Sequence, residues 1–312
     1  MVGLKTKFGL ALWVCGLGWV GQATAGPTPP IKAVASFSIL ADWVQQVGGS
    51  RVRVDVLVGP GGDAHVFQPK PMQAKQVGQA DVVFSSGLGF EGWMSRLLKT
   101  SAYKGRHVVL ADSIGRKSSP TTADEGGKPP LATQGNDPHV WQDVRYAQLY
   151  VNRIAQALCE TDAAGCEQYR RNADRYTEQL KALDSQIRAA WADVPVADRK
   201  VITSHDAFGY YAQAYGVRFL APQGVSTESE ASAQGVARLV RQIKREGAKA
   251  LFVESVSNPR LIEQIARETG LRASAQRLFS DSLSPAAQPA GNYLDMMRHN
   301  THALTRSVLG RD

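Results

Sequence analysis

Tyr169-Arg-Arg-Asn-Ala173-Asp-Arg-Tyr176-Thr-Glu-Gln-Leu180-Lys-Ala-Leu183-Asp-Ser-Gln-Ile187-Arg-Ala-Ala-Trp191-Ala-Asp-Val194 places its apolar residues in steps of three and four and stops at Pro195. That spacing draws one apolar stripe along a single helix of about 39 Å, at about 1.5 Å per residue. Such a helix can run along two domains as a stiff strut. A shorter helix precedes it, with Val144, Ala147, Val151, Ile154 and Leu158 in the same step. On either side of this pair, short β-branched runs alternate with helical patterns. Strands are expected over 31–37, 52–58, 81–85 and 107–111, with helices over 40–47, 72–78 and 91–98. After the long helix the alternation restarts, with strands over 200–204, 217–221, 250–254 and 274–278 and helices over 208–215, 230–246, 259–268 and from Tyr293. Repeated βα units give parallel sheets. The expected fold is α/β: two similar lobes, 26–165 and 196–312, each a mostly parallel sheet flanked by helices, joined by one long rigid helix over 166–195. The tract between Ile114 and Asp137 is rich in Gly, Pro, Ser and Thr and reads as an exposed loop.

With 312 residues, 43% hydrophobic and 21% charged, the chain has enough apolar material for two packed domains and is neither a disordered chain nor a coiled coil. The net charge of +8 favours solubility and does not mark a nucleic-acid binder. Residues 1–25 combine Lys5 and Lys7 with an apolar run from Phe8 to Val20 and end in Ala23-Thr-Ala25. This is the pattern of a cleaved secretory signal, and the run falls short of the roughly 20 residues of a membrane span. An uncleaved anchor is the alternative. Cys15 lies inside the apolar run without the Leu-small-small lead-in of a lipoprotein signal. Export implies an oxidising compartment, the periplasm, in which Cys159 and Cys166 can close a short loop. We read them as a disulfide staple contributing about 2.5 kcal/mol; the rival, a two-thiol metal site, has no further soft ligand nearby.

Three of the six histidines stand in unusual settings. His65 lies in Gly59-Pro-Gly-Gly-Asp-Ala-His65-Val-Phe-Gln-Pro-Lys-Pro71, directly after a strand. His139 lies in Asp137-Pro-His139-Val-Trp-Gln-Asp143 at the mouth of a helix, and His205 in Ser204-His205-Asp206-Ala-Phe-Gly-Tyr210 at a strand end. Open α/β sheets place ligands at such strand ends and the loops that follow. Imidazole is the commonest protein ligand for transition metals, but spacing alone does not distinguish three converging rings from three ordinary loop histidines. Asp281, in Leu278-Phe-Ser-Asp281-Ser-Leu-Ser-Pro285, occupies the same kind of position and would supply an oxygen ligand; its plain alternative is a turn or cap residue. His107, His299 and His302 read as solvated or hydrogen-bonded residues.

Taken in order, Gly-Asp-Ala-His with its Pro-x-Pro, Asp-Pro-His-Val-Trp, Ser-His-Asp-Ala-Phe-Gly-Tyr and Ser-Asp-Ser-Leu-Ser resemble the motifs of the cluster A-I metal-binding solute-binding proteins of ABC transporters. These are periplasmic zinc- and manganese-binding proteins with adhesin-type lipoprotein relatives, and the resemblance spans about 31–300. It implies metal ligands at His65, His139, His205 and Asp281, two from each lobe. It also implies a periplasmic monomer that hands its metal to a membrane permease with an ATPase. Three imidazoles and one carboxylate suit tetrahedral zinc and leave no open position for an activated water, so capture is expected and catalysis is not. The family's zinc-dedicated members often carry a His-rich loop, whereas 115–136 contains no histidine. Manganese-binding relatives typically replace the third histidine by a carboxylate, and His205 is kept here. Zn2+ is therefore favoured over Mn2+ or Fe2+. Asp63, Asp137, Asp143, Asp206 and Glu254 are candidates to orient the rings, and Glu254 also competes with Asp281 as a ligand. With ordinary imidazoles, affinity would fall as pH drops through about 6–6.5.

Two enzyme readings compete. Gly87-Leu-Gly-Phe-Glu-Gly92 matches a dinucleotide fingerprint after a strand, with Asp112 farther on, but an exported chain meets no soluble nicotinamide pool. A secreted zinc-dependent hydrolase would use the same histidines, yet there is no His-Glu-x-x-His helix and no Gly-x-Ser-x-Gly elbow.

Overall fold

The computed structural model describes residues 1–3, 29–114 and 137–311; the expected signal, Cys15 and the 115–136 loop lie outside the described residues. In the N-terminal lobe, strands β1 (Ile31–Phe37), β2 (Val52–Val58), β3 (Val82–Ser85) and β4 (Arg106–Val109) form a parallel sheet in the order β2-β1-β3-β4. Helices α1 (Ser38–Gly48), α2 (Pro71–Gly78) and α3 (Met94–Thr100) connect them, and α4 (Val144–Thr161) follows. The C-terminal sheet, order β6-β5-β7, is built from β5 (Lys200–Ile202), β6 (Arg218–Leu220) and β7 (Ala250–Leu251), again parallel. It carries α6 (Gly209–Tyr215), α7 (Ala233–Glu246), α8 (Pro259–Thr269) and α9 (Tyr293–Val308). Among the described residues, no helix is long and apolar enough to cross a membrane.

The strut is α5 (Cys166–Ala192), 27 residues, whose stripe Tyr169, Ala173, Tyr176, Leu180, Leu183, Ile187 and Trp191 is buried. It packs against α1, α4, α6 and α9 and so touches elements of both lobes. Cys159 and Cys166 form a disulfide across the α4–α5 corner. There, Arg51 Nη2 and Tyr169 OH each donate to Asp162 Oδ2 at 2.7 Å.

One expected strand is not formed. Over 274–278 the chain makes only isolated bridges, Leu251 with Ala273 and Glu254 with Leu278. The sequence there is polar and lacks β-branched residues, and Ser274 Oγ accepts the Gln276 N–H at 3.2 Å, a local turn that competes with the ladder. The strands predicted over 107–111 and 250–254 are shorter than expected, and the helix predicted from Glu91 begins at Met94.

The fingerprint-like loop has its own explanation. Gly87 and Gly89 hold positive φ (94° and 84°), and a Cβ on Gly87 would meet Val109 Cγ1 at 2.5 Å. The amides a phosphate would need are taken by the chain itself. Buried Glu91 accepts Ser86 N–H at 2.8 Å, Gly87 N–H at 3.1 Å and the Ser36 hydroxyl at 2.6 Å.

Candidate metal centre

Each of the four predicted residues is delivered by a loop at the end of a regular element. His65 follows β2 through a glycine turn whose Gly61 has φ +75°, and the Trp93 indole N–H holds Ala64 O at 2.7 Å beside it. His139 precedes the 3-10 turn that leads into α4, whose N-cap Asp143 accepts from Arg145 N. His205 follows β5, and Asp281 follows the bridge at Leu278.

All four are buried, and one ligand atom from each lies within 4.8 Å of the others. His65 Nε2 and His139 Nε2 are 3.3 Å apart. Asp281 oxygens stand 3.6 Å from His65 Nε2, 3.4 Å from His139 Nε2 and 3.1 Å from His205 Nε2. A tetrahedron with ligand bonds of about 2.0–2.2 Å has edges of about 3.3–3.6 Å, close to the His65–His139 separation and the Asp281–histidine separations. Both Asp281 oxygens are buried, and the polar atoms facing them are the Nε2 atoms of the three histidines. A buried carboxylate needs a positive partner, which a protonated His205 supplies in the metal-free protein and a bound cation can supply in its place.

Each histidine is also held from behind by an acid. Asp63 Oδ1 accepts the His65 N–H at 2.9 Å, and Asp63 Oδ2 accepts the Thr227 hydroxyl at 2.7 Å. Asp137 Oδ1 takes both the backbone N–H and Nδ1 of His139, at 2.9 and 2.8 Å. Glu254 Oε1 accepts the His205 N–H at 2.8 Å while its Oε2 lies 2.6 Å from His205 Nδ1. This leaves the Nε2 atoms of His139 and His205 facing the common point. Glu254 is thus on the far side of His205 and outside the ligand group. Asp143 serves as a helix cap, and Asp206 is pushed up to about 7 by burial and by Asp137. His107 Nε2 pairs with Ser85 Oγ and His299 Nε2 with Arg277 O, both away from the group.

The rings differ in protonation. Burial lowers His65 to about 4. For His205, burial alone would do the same, but Glu254 and Asp281 raise it well above the usual imidazole range. Asp281 shows the reciprocal effect: burial would raise it, and the surrounding imidazoles hold it below the usual carboxylate range.

Residues not predicted as site residues complete the setting. Trp141 Nε1 and Gln142 Nε2 donate to Ser280 O at 2.7 and 2.8 Å, Leu283 N–H donates to Ser38 Oγ at 2.9 Å, and Gly61 N–H donates to Leu283 O at 3.0 Å. The segment carrying Asp281, late in the chain, is therefore anchored by N-terminal groups. Phe90 packs edge-on to His65 at 4.7 Å and walls one side.

The family described as "zinc-uptake complex component A, periplasmic" (ZnuA) matches residues 33–307. The manganese-binding lipoprotein MntA of Bacillus subtilis (strain 168) is 30% identical over 302 residues, covering 96% of this chain and 95% of its own length. The manganese ABC transporter substrate-binding lipoprotein PsaA of Streptococcus pneumoniae is 26% identical, with 92% of both covered. Among solved structures, the periplasmic zinc-binding protein TroA from Treponema pallidum superposes with a TM-score of 0.81 at 27% identity, over 89% of this chain and 99% of that one. The fold agrees with these matches: the chain belongs to the ZnuA family, the cluster A-I metal-binding substrate-binding components of ABC transporters, which are binding proteins and not enzymes.

Proposed function

We propose that this protein captures one divalent transition metal, Zn2+ first, at His65, His139, His205 and Asp281 and delivers it in the periplasm to a permease driven by an ATPase. The observation that supports the reading is the buried group of three imidazoles and the Asp281 carboxylate, with one ligand atom from each within 4.8 Å of the others. A donor set of three nitrogens and one oxygen favours zinc, and intrinsic affinity runs the same way. Manganese is the second reading, supported by the names of MntA and PsaA. We further propose that residues 1–25 are removed on export, that 26–165 and 196–312 act as the two lobes about the helix 166–195, and that the protein works as a monomer. The Cys159–Cys166 disulfide is in keeping with an oxidising compartment.

The test is elemental analysis of protein isolated from its native compartment, followed by zinc and manganese competition on metal-free protein. One equivalent of zinc, displacing manganese, is expected. Stoichiometric manganese that zinc does not displace would replace the zinc assignment, and absence of any transition metal under both conditions would end the carrier reading.

A further inference from the structure

His65, His139 and the Asp281 segment are joined to one another by N-terminal groups, whereas His205 comes from the second sheet. A side-chain contact spans the gap between these two sets. Thr227, half-buried in the loop after β6, donates its hydroxyl to Asp63 Oδ2 at 2.7 Å, and the other oxygen of Asp63 holds the His65 N–H. The Thr227 loop is braced internally, since Gln223 Nε2 donates to Ser229 O at 2.9 Å and Glu228 N–H to Ser226 Oγ at 3.2 Å. Its base is tied to the other ligand: Gln223 forms a parallel bridge with His205, and Asp206 N–H donates to Gly224 O at 3.3 Å. Protein contacts thus run from His65 through Asp63, Thr227 and Gln223 to His205. They link two histidines from different sheets whose ligand atoms lie within 4.8 Å of one another.

We propose that Thr227 is a positioning residue for metal exchange: its hydroxyl latches the 223–229 loop onto Asp63, and this bond must break before His205 can withdraw and the ion can leave. The proposal rests on the metal-capture reading above. A hydroxyl on a carboxylate oxygen is a charge-assisted bond, and removing the donor leaves that oxygen unsatisfied while every candidate ligand stays in place. The latch therefore acts on the rate of release rather than on the identity of the ligands.

The experiment is a chelator chase of zinc-loaded wild type, Thr227→Val and Thr227→Ser. Loss of the hydroxyl should speed zinc release about tenfold, and serine should restore the rate to within about twofold of wild type. Cobalt-substituted protein should show one absorption spectrum for all three, because the ligand set is unchanged. Thr227→Ala gives the same readout should the valine chain not fold. Release from the valine or alanine variant at the wild-type rate, or a serine variant as fast as valine, would overturn the latch while leaving metal capture intact. Wild-type protein that binds none of zinc, cobalt or manganese would overturn both readings at once.

Discussion

Asp63 and Asp137 each sit two residues before a histidine and take its backbone N–H, a turn that short polar side chains form locally. Position 203 is threonine, and its hydroxyl donates to His205 O instead. The same service for His205 is performed by Glu254, 49 residues farther on, which contacts both the N–H and Nδ1. A carboxylate behind a ligand imidazole fixes the ring and strengthens it as a donor. Glu254→Leu should therefore lower zinc affinity by about 10–100-fold, and Glu254→Gln by clearly less, since an amide oxygen still accepts. Competition titration gives the affinities, and the cobalt absorption bands report whether the His205 ring has turned. The pH dependence follows from the same contacts. A ring must be neutral to bind metal, and His65, lowered to about 4 by burial, meets that condition throughout the physiological range. His205 is raised well above its ordinary value by Glu254 and Asp281 against the effect of burial, so it holds its proton to higher pH than an ordinary imidazole. Zinc must displace that proton, so affinity should rise with pH and flatten only above the raised value. Proton release measured calorimetrically in buffers of different ionisation enthalpy checks the count. Affinity that does not rise with pH above the ordinary imidazole range would count against His205 as a ligand.

The α4–α5 corner separates stability from binding. The Cys159–Cys166 disulfide and the Arg51–Asp162–Tyr169 cluster fix the start of the strut, and none of these residues belongs to the ligand group. Replacing both cysteines by serine should lower unfolding free energy by about 2.5 kcal/mol in urea, through the freed loop of the unfolded chain, with zinc affinity unchanged. A change in affinity would mean that the corner reaches the site through α4, which begins at Val144, five residues after His139. At the other end, Trp191 Nε1 donates to Tyr211 OH at 2.9 Å, which in turn meets Thr301 Oγ1 at 2.9 Å, so α5, α6 and α9 are linked by a buried polar chain.

For the whole molecule, α5 lies against both lobes and α9 packs on α1 and α5 as well as on β5 and β7. A wide hinge would tear these contacts, so exchange is confined to small shifts and loop movements. Metal that binds only the folded protein stabilises it by mass action. Zinc at about a thousand times its dissociation constant should add about 4 kcal/mol, seen as a rise in the thermal midpoint that His205→Ala abolishes. The sequence by itself determined the α/β alternation, the long helix and the ordered His65, His139, His205 and Asp281 motifs, because periodicity, caps and turns are written over a few neighbouring residues. It misjudged 274–278, where a local serine turn outcompetes pairing. Only the tertiary structure decided that the four side chains converge, that Glu254 backs His205, that Thr227 reaches Asp63 across 164 residues, and that N-terminal groups hold the Asp281 segment. Those contacts are set by how the elements pack, and packing between distant segments leaves no spacing along the chain from which they can be read.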